Sequence, residues 1–366
     1  MASTSEMAEK QRRVNALLDE TGSDALLLLA TDNFAWFTCG GSSFVNQAQE
    51  SGVGALLIHR DRKTLITNTV ERPRLVDEEV HGQGFLEEAV PWAADAVDPI
   101  VQRLAPGEKI ISDLPSAAAT ARPEAVARLR RSLTPEEVER YRSLGAEVGE
   151  AIGEACMLVE PGMTEYEVAA ALADEHYARG ITPVVVLVAA GQRLLKYRHP
   201  LPTMNPVQRA VMLVVCGRRQ GLIVSATRLV HFGQVDDELA RKHRSVVAVD
   251  GAFIAATRVG TRIGDVFRAG LQAYAAEGYA EEWKLHHQGG PTGYAPRDYR
   301  ATAESQDTVQ PWQAFAWNPS ITGTKSEDTV LAGPAGPEVI SLSPAYPTIE
   351  VEINGLKLRR SDLLVR

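Results

Sequence analysis

The segment Glu160-Pro161-Gly162-Met163-Thr164-Glu165 forces the chain to end one helix and begin another. Pro161 removes a backbone donor, Gly162 accepts a left-handed turn, and Thr164 offers an N-cap hydroxyl with Glu167 three residues on to close a capping box. The same device recurs at Val259-Gly260-Thr261-Arg262-Ile263-Gly264-Asp265-Val266, where Thr261 opens the next helix. Val168 and Val266 then fall at matching inward positions. A chain punctuated this way reads as two similar helix-helix-strand halves, roughly 135–235 and 236–366.

The first half has a well-marked start. In Leu133-Thr134-Pro135-Glu136-Glu137, Thr134 is the N-cap, Pro135 takes the first helical position, and the two glutamates face the positive end of the helix dipole. The helix is expected to run to about Val159. Upstream, a helix over Lys10 to Glu20, an apolar run Ala25 to Ala30, a turn at Thr31 to Asn33, strands at Gly54 to Ile58 and Thr64 to Thr67, and a helical pattern around Phe85 to Leu104 describe a smaller α/β domain. With 366 residues, more than one core usually organises, the chain divides into 1–130 and 131–366.

Charge and cysteine content narrow the function classes. A net charge of -9 argues against a nucleic-acid binder, which needs a surplus of Lys and Arg. Basic residues such as Arg128, Arg130 and Arg131 read as a solvated helix face. The polar opening stretch Met1 to Lys10 has no signal-peptide core and no apolar run is long enough for a membrane span, so the expected location is the cytoplasm. The three cysteines, Cys39, Cys156 and Cys216, form no CxxC pair and read as buried packing residues rather than disulfides or zinc ligands.

Taken in order, Leu133-Thr134-Pro135-Glu136-Glu137, Glu160-Pro161-Gly162-Met163-Thr164-Glu165, His199-Pro200, Arg258-Val259-Gly260-Thr261, His287 to Gly290, and Glu327-Asp328-Thr329-Val330 resemble the anchors of the creatinase, prolidase and aminopeptidase P superfamily. Asp24-Ala25-Leu26-Leu27 followed by Asn33-Phe34-Ala35-Trp36 is similar to that superfamily's N-terminal domain. The resemblance implies an α/β fold of the α+β kind: a creatinase-like N-terminal α/β domain followed by a C-terminal pita-bread domain with pseudo-twofold halves. It also implies a homodimer.

Metal-dependent members of that superfamily hold two divalent ions with two Asp, one His and two Glu. The stretches matching the two Asp are Val214-Val215-Cys216-Gly217 and Ser225-Ala226-Thr227-Arg228, neither of which contains a carboxylate. Where the family has Glu-Pro, this chain has Trp317-Asn318-Pro319. Only His287 and Glu327 match as donors, so no metal and no other cofactor is expected. Asp328 cannot join Glu327, because adjacent side chains of a strand point to opposite faces.

Creatinase implies a metal-free route to C–N cleavage, and His199, His287 and Glu327 are the residues that persist for it. His199 is the expected general base, His287 the second acid/base group or substrate anchor, and Glu327 the holder of a cationic or amide N–H group. Asn318, Arg228, Lys325, Arg297 and Tyr197 form the expected substrate-contacting set, with His286 as the neighbour alternative to His287, since a strand lets only one of the pair face the cavity. His59, His81, His176, His231 and His243 read as structural or surface residues. The leading expectation is a metal-independent hydrolase of a small amide, amidine or short peptide, with no nucleic-acid or membrane partner. The alternatives are a metal-dependent Xaa-Pro aminopeptidase or dipeptidase, a non-catalytic binding member of the fold, and a lyase or isomerase using the same acid/base pair.

Overall fold

The computed structural model describes residues 4–94 and 97–366, so Met1 to Ser3 and the Asp95-Ala96 part of the helical pattern expected over Phe85 to Leu104 lie outside the described residues. Two compact units are formed, the first by 1–137 with 220–222 and the second by 138–219 with 223–366.

In the first unit a helix, Thr4–Thr21, precedes a strand, Ala25–Ala30, which runs antiparallel to Ser51–Ile58 and parallel to Ile110–Ser112. The sheet has six strands, with Ala25–Ala30 and Ser51–Ile58 at its centre. Ala25–Ala30 and the Ala55 to Ile58 part of its neighbour are apolar runs because both faces are covered there, and Leu27, Leu57 and Val101 are fully buried. Lys10 is buried as well, and its ammonium lies 2.7 Å from Glu6 and 2.9 Å from Glu137. Two expectations are corrected here. Thr31–Phe37 is a helix rather than a turn, because Phe34, Trp36 and Phe37 all reach the core from it. Leu86–Val90 is a strand paired with Lys63–Asn68, followed by a 3-10 turn at Trp92–Ala94 and an α-helix over Val97–Leu104.

The second unit repeats a two-helix, three-strand order. Helices Pro135–Leu158 and Glu165–Tyr177 lead to strands Thr182–Ala190, Ala210–Arg219 and Leu222–His231; helices Asp237–Ala256 and Ile263–Ala276 lead to strands Gly289–Thr292, Gln313–Trp317 and Asp328–Gly333. Each set of strands forms a four-stranded sheet, completed by Leu363–Val365 in the first and by Gly336–Val339 in the second. The duplication extends to the helix entries. Thr164 is the N-cap of one and bridges Pro206, while Arg262 is the N-cap of the other and bridges Thr308. Thr164 closes the expected capping box with Glu167. Thr261 does not cap; the N-cap is one residue later, at Arg262, without a side-chain hydrogen bond, and the helix starts at Ile263. Val168 and Val266, each four residues past its N-cap, are fully buried.

The halves join where Thr227 N donates to Glu327 O (3.1 Å) and Ser225 N to Thr329 Oγ1 (2.8 Å), and this seam sets the position of the site. In the second half the helices cross closely at Gly270. A Cβ there would lie 2.0 Å from Phe253 Cζ, and the Phe253 ring is itself fully buried and stacked on Trp317 at 4.8 Å. Gly270→Ala is expected to cost about 1–3 kcal/mol by overpacking, read as a lower urea midpoint; an unchanged midpoint would show that the ring has room to move. Among the described residues no helix is long and apolar enough to cross a membrane.

Candidate functional site

The site is built on the hairpin Ala210–Arg219 and Leu222–His231 and on the extended segment after Thr324–Lys325. Side chains alternate along extended chain, so Ser225 and Thr227 share one face while Arg228 takes the other, and Lys325 shares a face with Glu327 but not with Asp328. The contacts follow that alternation. Thr227 Oγ1 donates to Glu327 Oε2 at 2.7 Å, Lys325 Nζ donates to the same oxygen at 2.6 Å, and Arg297 Nη2 lies 3.1 Å from Oε1. Cys216 Sγ sits 3.3 Å from Ser225 Oγ on the same hairpin.

Glu327 and Lys325 are both almost completely buried. Burial alone would push the Glu327 carboxyl up, but the Lys325 ammonium and the Arg297 guanidinium outweigh it and hold the group at about 2. One carboxylate therefore faces two cations in a low-dielectric setting. Cys216 goes the other way: burial first, then the nearby Glu327 charge, push its thiol up, so it is not poised as a thiolate nucleophile.

Beside this charged group stand three imidazoles. His199 Nε2 and His286 Nε2 are 3.1 Å apart, the His199 ring centroid is 4.9 Å from that of His286 and 5.4 Å from that of His287, and His286 and His287 are 4.5 Å apart. His199 is exposed, His286 buried and His287 half-buried. Burial, reinforced by Lys325, pushes His286 down to about 2; burial, reinforced by Arg297, pushes His287 down to about 4. His199 is lowered by burial and then by Lys325. His286 and His287 are therefore neutral at neutral pH, and His199 is shifted in the same direction.

Several sequence expectations are corrected by this geometry. Both His286 and His287 meet His199, because they precede the strand Gly289–Thr292 and lie in irregular chain after a short 3-10 turn, where strand alternation does not apply. Arg228 stands apart from this cluster: it is fully buried, its Nη2 lies 2.9 Å from Asp328 Oδ1 and 2.7 Å from Ser341 O, and it lies over the Tyr346 ring. Glu327 is held inside the protein: Thr227 and Lys325 donate to Oε2 and Arg297 to Oε1. Lys325 and Arg297 do belong to the cluster, but as partners of Glu327. Asn318 is buried and its Oδ1 has no protein partner, which leaves an acceptor available. Tyr197, half exposed, lines a small cleft with Arg198, Met212, His286 and Lys325. Sequence reasoning missed Thr227 as a holder of Glu327, although its two-residue spacing from Ser225 was the available signal.

The donor set does not fit the paired divalent ions of the superfamily. Such a pair needs several oxygen anions to neutralise and bridge it. At the corresponding places stand a thiol bonded to a hydroxyl, Cys216 to Ser225, and an amide, Asn318, while the remaining carboxylate is already neutralised by Lys325 and Arg297. The buried Lys325 ammonium supplies positive charge directly against that carboxylate.

The depressed imidazoles carry a pH signature. Folded values of about 2 and about 4 lie below the ordinary 6.5, so the unfolded chain binds more protons in that window and stability rises with pH across it. Stability from these groups is full above about pH 6.5 and is lost as pH falls toward 4; Glu327, whose folded value of about 2 is below 4.5, adds a loss of the same sign between 4.5 and 2. The urea midpoint is expected to drop between about pH 7 and pH 4.5, and a flat profile would contradict the neutral imidazoles.

Comparison with known proteins agrees with the architecture. The Xaa-Pro dipeptidase from Bacillus anthracis superposes with a TM-score of 0.78 at 19% identity, covering 98% of this chain and 100% of its own. Dipeptidase PepE from Mycobacterium ulcerans gives 0.78 at 18% identity, covering 100% of this chain and 99% of its own. In sequence, the probable dipeptidase PepE of Mycobacterium bovis is 25% identical over 226 residues, 59% of this chain and 60% of that protein, so the match spans less than two thirds of the relative. The two-domain prolidase-like arrangement with a C-terminal pita-bread domain is thus the fold of this chain. The pattern of metallopeptidase family M24 matches residues 139–334, more than half of the sequence, and the chain belongs to that family.

Proposed function

We propose that the chain hydrolyses a C–N bond in a small substrate, an amide, amidine or short peptide, without the paired divalent ions of its family. The observation that carries this reading is the Lys325–Glu327–Arg297 group beside three imidazoles, with one buried carboxylate neutralised by two cations. His199, the exposed member, takes a proton from water as the water oxygen attacks the carbonyl or amidine carbon. It then returns the proton to the leaving nitrogen as the C–N bond breaks. In this reading Lys325 and Arg297, held by Glu327, stabilise the negative charge that develops on the attacked group. Asn318 Oδ1 accepts a substrate N–H.

A metal-dependent Xaa-Pro dipeptidase is the second reading, favoured by the likeness to PepE and to the Bacillus anthracis enzyme. The test is to incubate chelator-treated protein with Xaa-Pro dipeptides, N-acyl amino acids and amidines in heavy-oxygen water, and to analyse products by mass spectrometry. Hydrolysis puts one solvent oxygen into the product; turnover without label would point to a lyase or isomerase. A compound that raises Tm but is never converted would point to a binding protein, and either result would overturn the proposal.

A further inference from the structure

We propose that His199, His286 and His287 form a three-nitrogen site for a single borderline transition-metal ion of the zinc, cobalt or copper class, and that the ion silences the site instead of activating it. The donor atoms of the three rings lie within 4.8 Å of one another, and two of them, the Nε2 atoms of His199 and His286, are 3.1 Å apart. Zinc–imidazole bonds of about 2.0–2.1 Å in a tetrahedron place neighbouring nitrogens about 3.3–3.4 Å apart, so the cluster closes on an ion with small rotations, mainly of the exposed His199.

A further observation points to a ligand. His287 Nδ1 is buried and has no protein partner, so the cluster holds a donor that the chain leaves unused. His286 as a whole is 8% exposed.

Donor type selects the ion. Three neutral nitrogens and no carboxylate suit zinc, cobalt, nickel or copper and are poor for magnesium, calcium or manganese. Lys325 and Arg297 oppose a dication, their charge being only partly offset by Glu327, and this favours an ion whose open fourth position carries an anion. An ion held there uses the His199 lone pair, which is the pair that would accept the proton from water. The binding claim stands on geometry alone, whereas the silencing rests on the reading of His199 as the base.

The test titrates metal-free full-length protein with Co2+, followed by visible absorption, alongside His199→Ala and His287→Ala, each checked for folding by far-UV circular dichroism. Saturation at one Co2+ per chain is expected, with intense low-coordinate visible bands and no thiolate charge-transfer band, and with at least tenfold weaker binding in both variants. Saturation at two ions per chain, a thiolate band placing the ion on Cys216, or binding unchanged in both folded variants would overturn the site. Turnover is then compared between chelated and Zn2+-loaded protein. Loss on loading supports silencing; equal or faster turnover with the site filled overturns silencing and the base role of His199 while leaving the site standing.

Discussion

His199→Ala lowers turnover by about 10²- to 10⁴-fold, the usual contribution of a positioned acid/base group, while leaving the urea midpoint within experimental error. The two halves of that expectation come from separate facts. His199 is exposed, so truncating it removes little buried surface. Its Nε2 lies 3.1 Å from His286 in a cluster whose other members are pushed well below the ordinary imidazole range, which makes it the accessible proton acceptor. Its own value is lowered by burial and by Lys325, so the pH profile of the native enzyme should rise to a plateau with a midpoint below 6.5. Activity retained within a few-fold in the variant would remove His199 from the chemistry.

Arg360→Met destabilises the protein by about 3–5 kcal/mol, the cost of breaking a buried ion pair from one side. Arg360 is fully buried; its Nε lies 3.0 Å from Asp250 Oδ2, and its Nη2 contacts Asp250 and lies 3.0 Å from Asp328 Oδ2. Asp328 keeps Arg228 at 2.9 Å, but Asp250 keeps only the Ser326 hydroxyl, at 2.5 Å. Burial already pushes the Asp250 carboxyl up, and losing the guanidinium leaves it with no charged partner. Because Ser326 and Asp328 flank Glu327, the loss should reach the site as a fall in turnover as well. Urea unfolding at neutral pH reads the first effect. A change below about 1 kcal/mol would mean that the network relaxes or admits water, and Asp250→Leu combined with Arg360→Met should recover most of the loss because no charge then remains unpaired.

Much of this architecture was legible because local chemistry and tertiary structure agree. The capping box at Thr164 and Glu167, the Pro135 helix start and the apolar strand over Ala25 to Ala30 all depend on neighbours within a few residues. Thr31 to Asn33 was not legible as helix, since its polar residues resemble a turn and only the burial of Phe34, Trp36 and Phe37 draws it into a helix. At the site, the opposition of Glu327 and Asp328 followed from strand alternation and is observed: one meets Lys325 and Arg297, the other Arg228 and Arg360. Applied to Ser225 through Arg228, the same rule predicts Thr227 facing in and Arg228 facing out. His286 reads from sequence only as an alternative to His287, because alternation holds along strands and the chain here is irregular, and the pairing of Lys325 with Glu327 as an internal counter-charge depends on burial that spacing does not reveal.

The central claim is that C–N hydrolysis here proceeds without a two-ion centre, and the direct measurement is metal per chain alongside turnover on protein purified without affinity metals and dialysed against chelator. The account predicts turnover that persists with metal far below one ion per chain. Turnover that is absent until about two ions per chain are restored would contradict it and make the chain a metal-dependent dipeptidase.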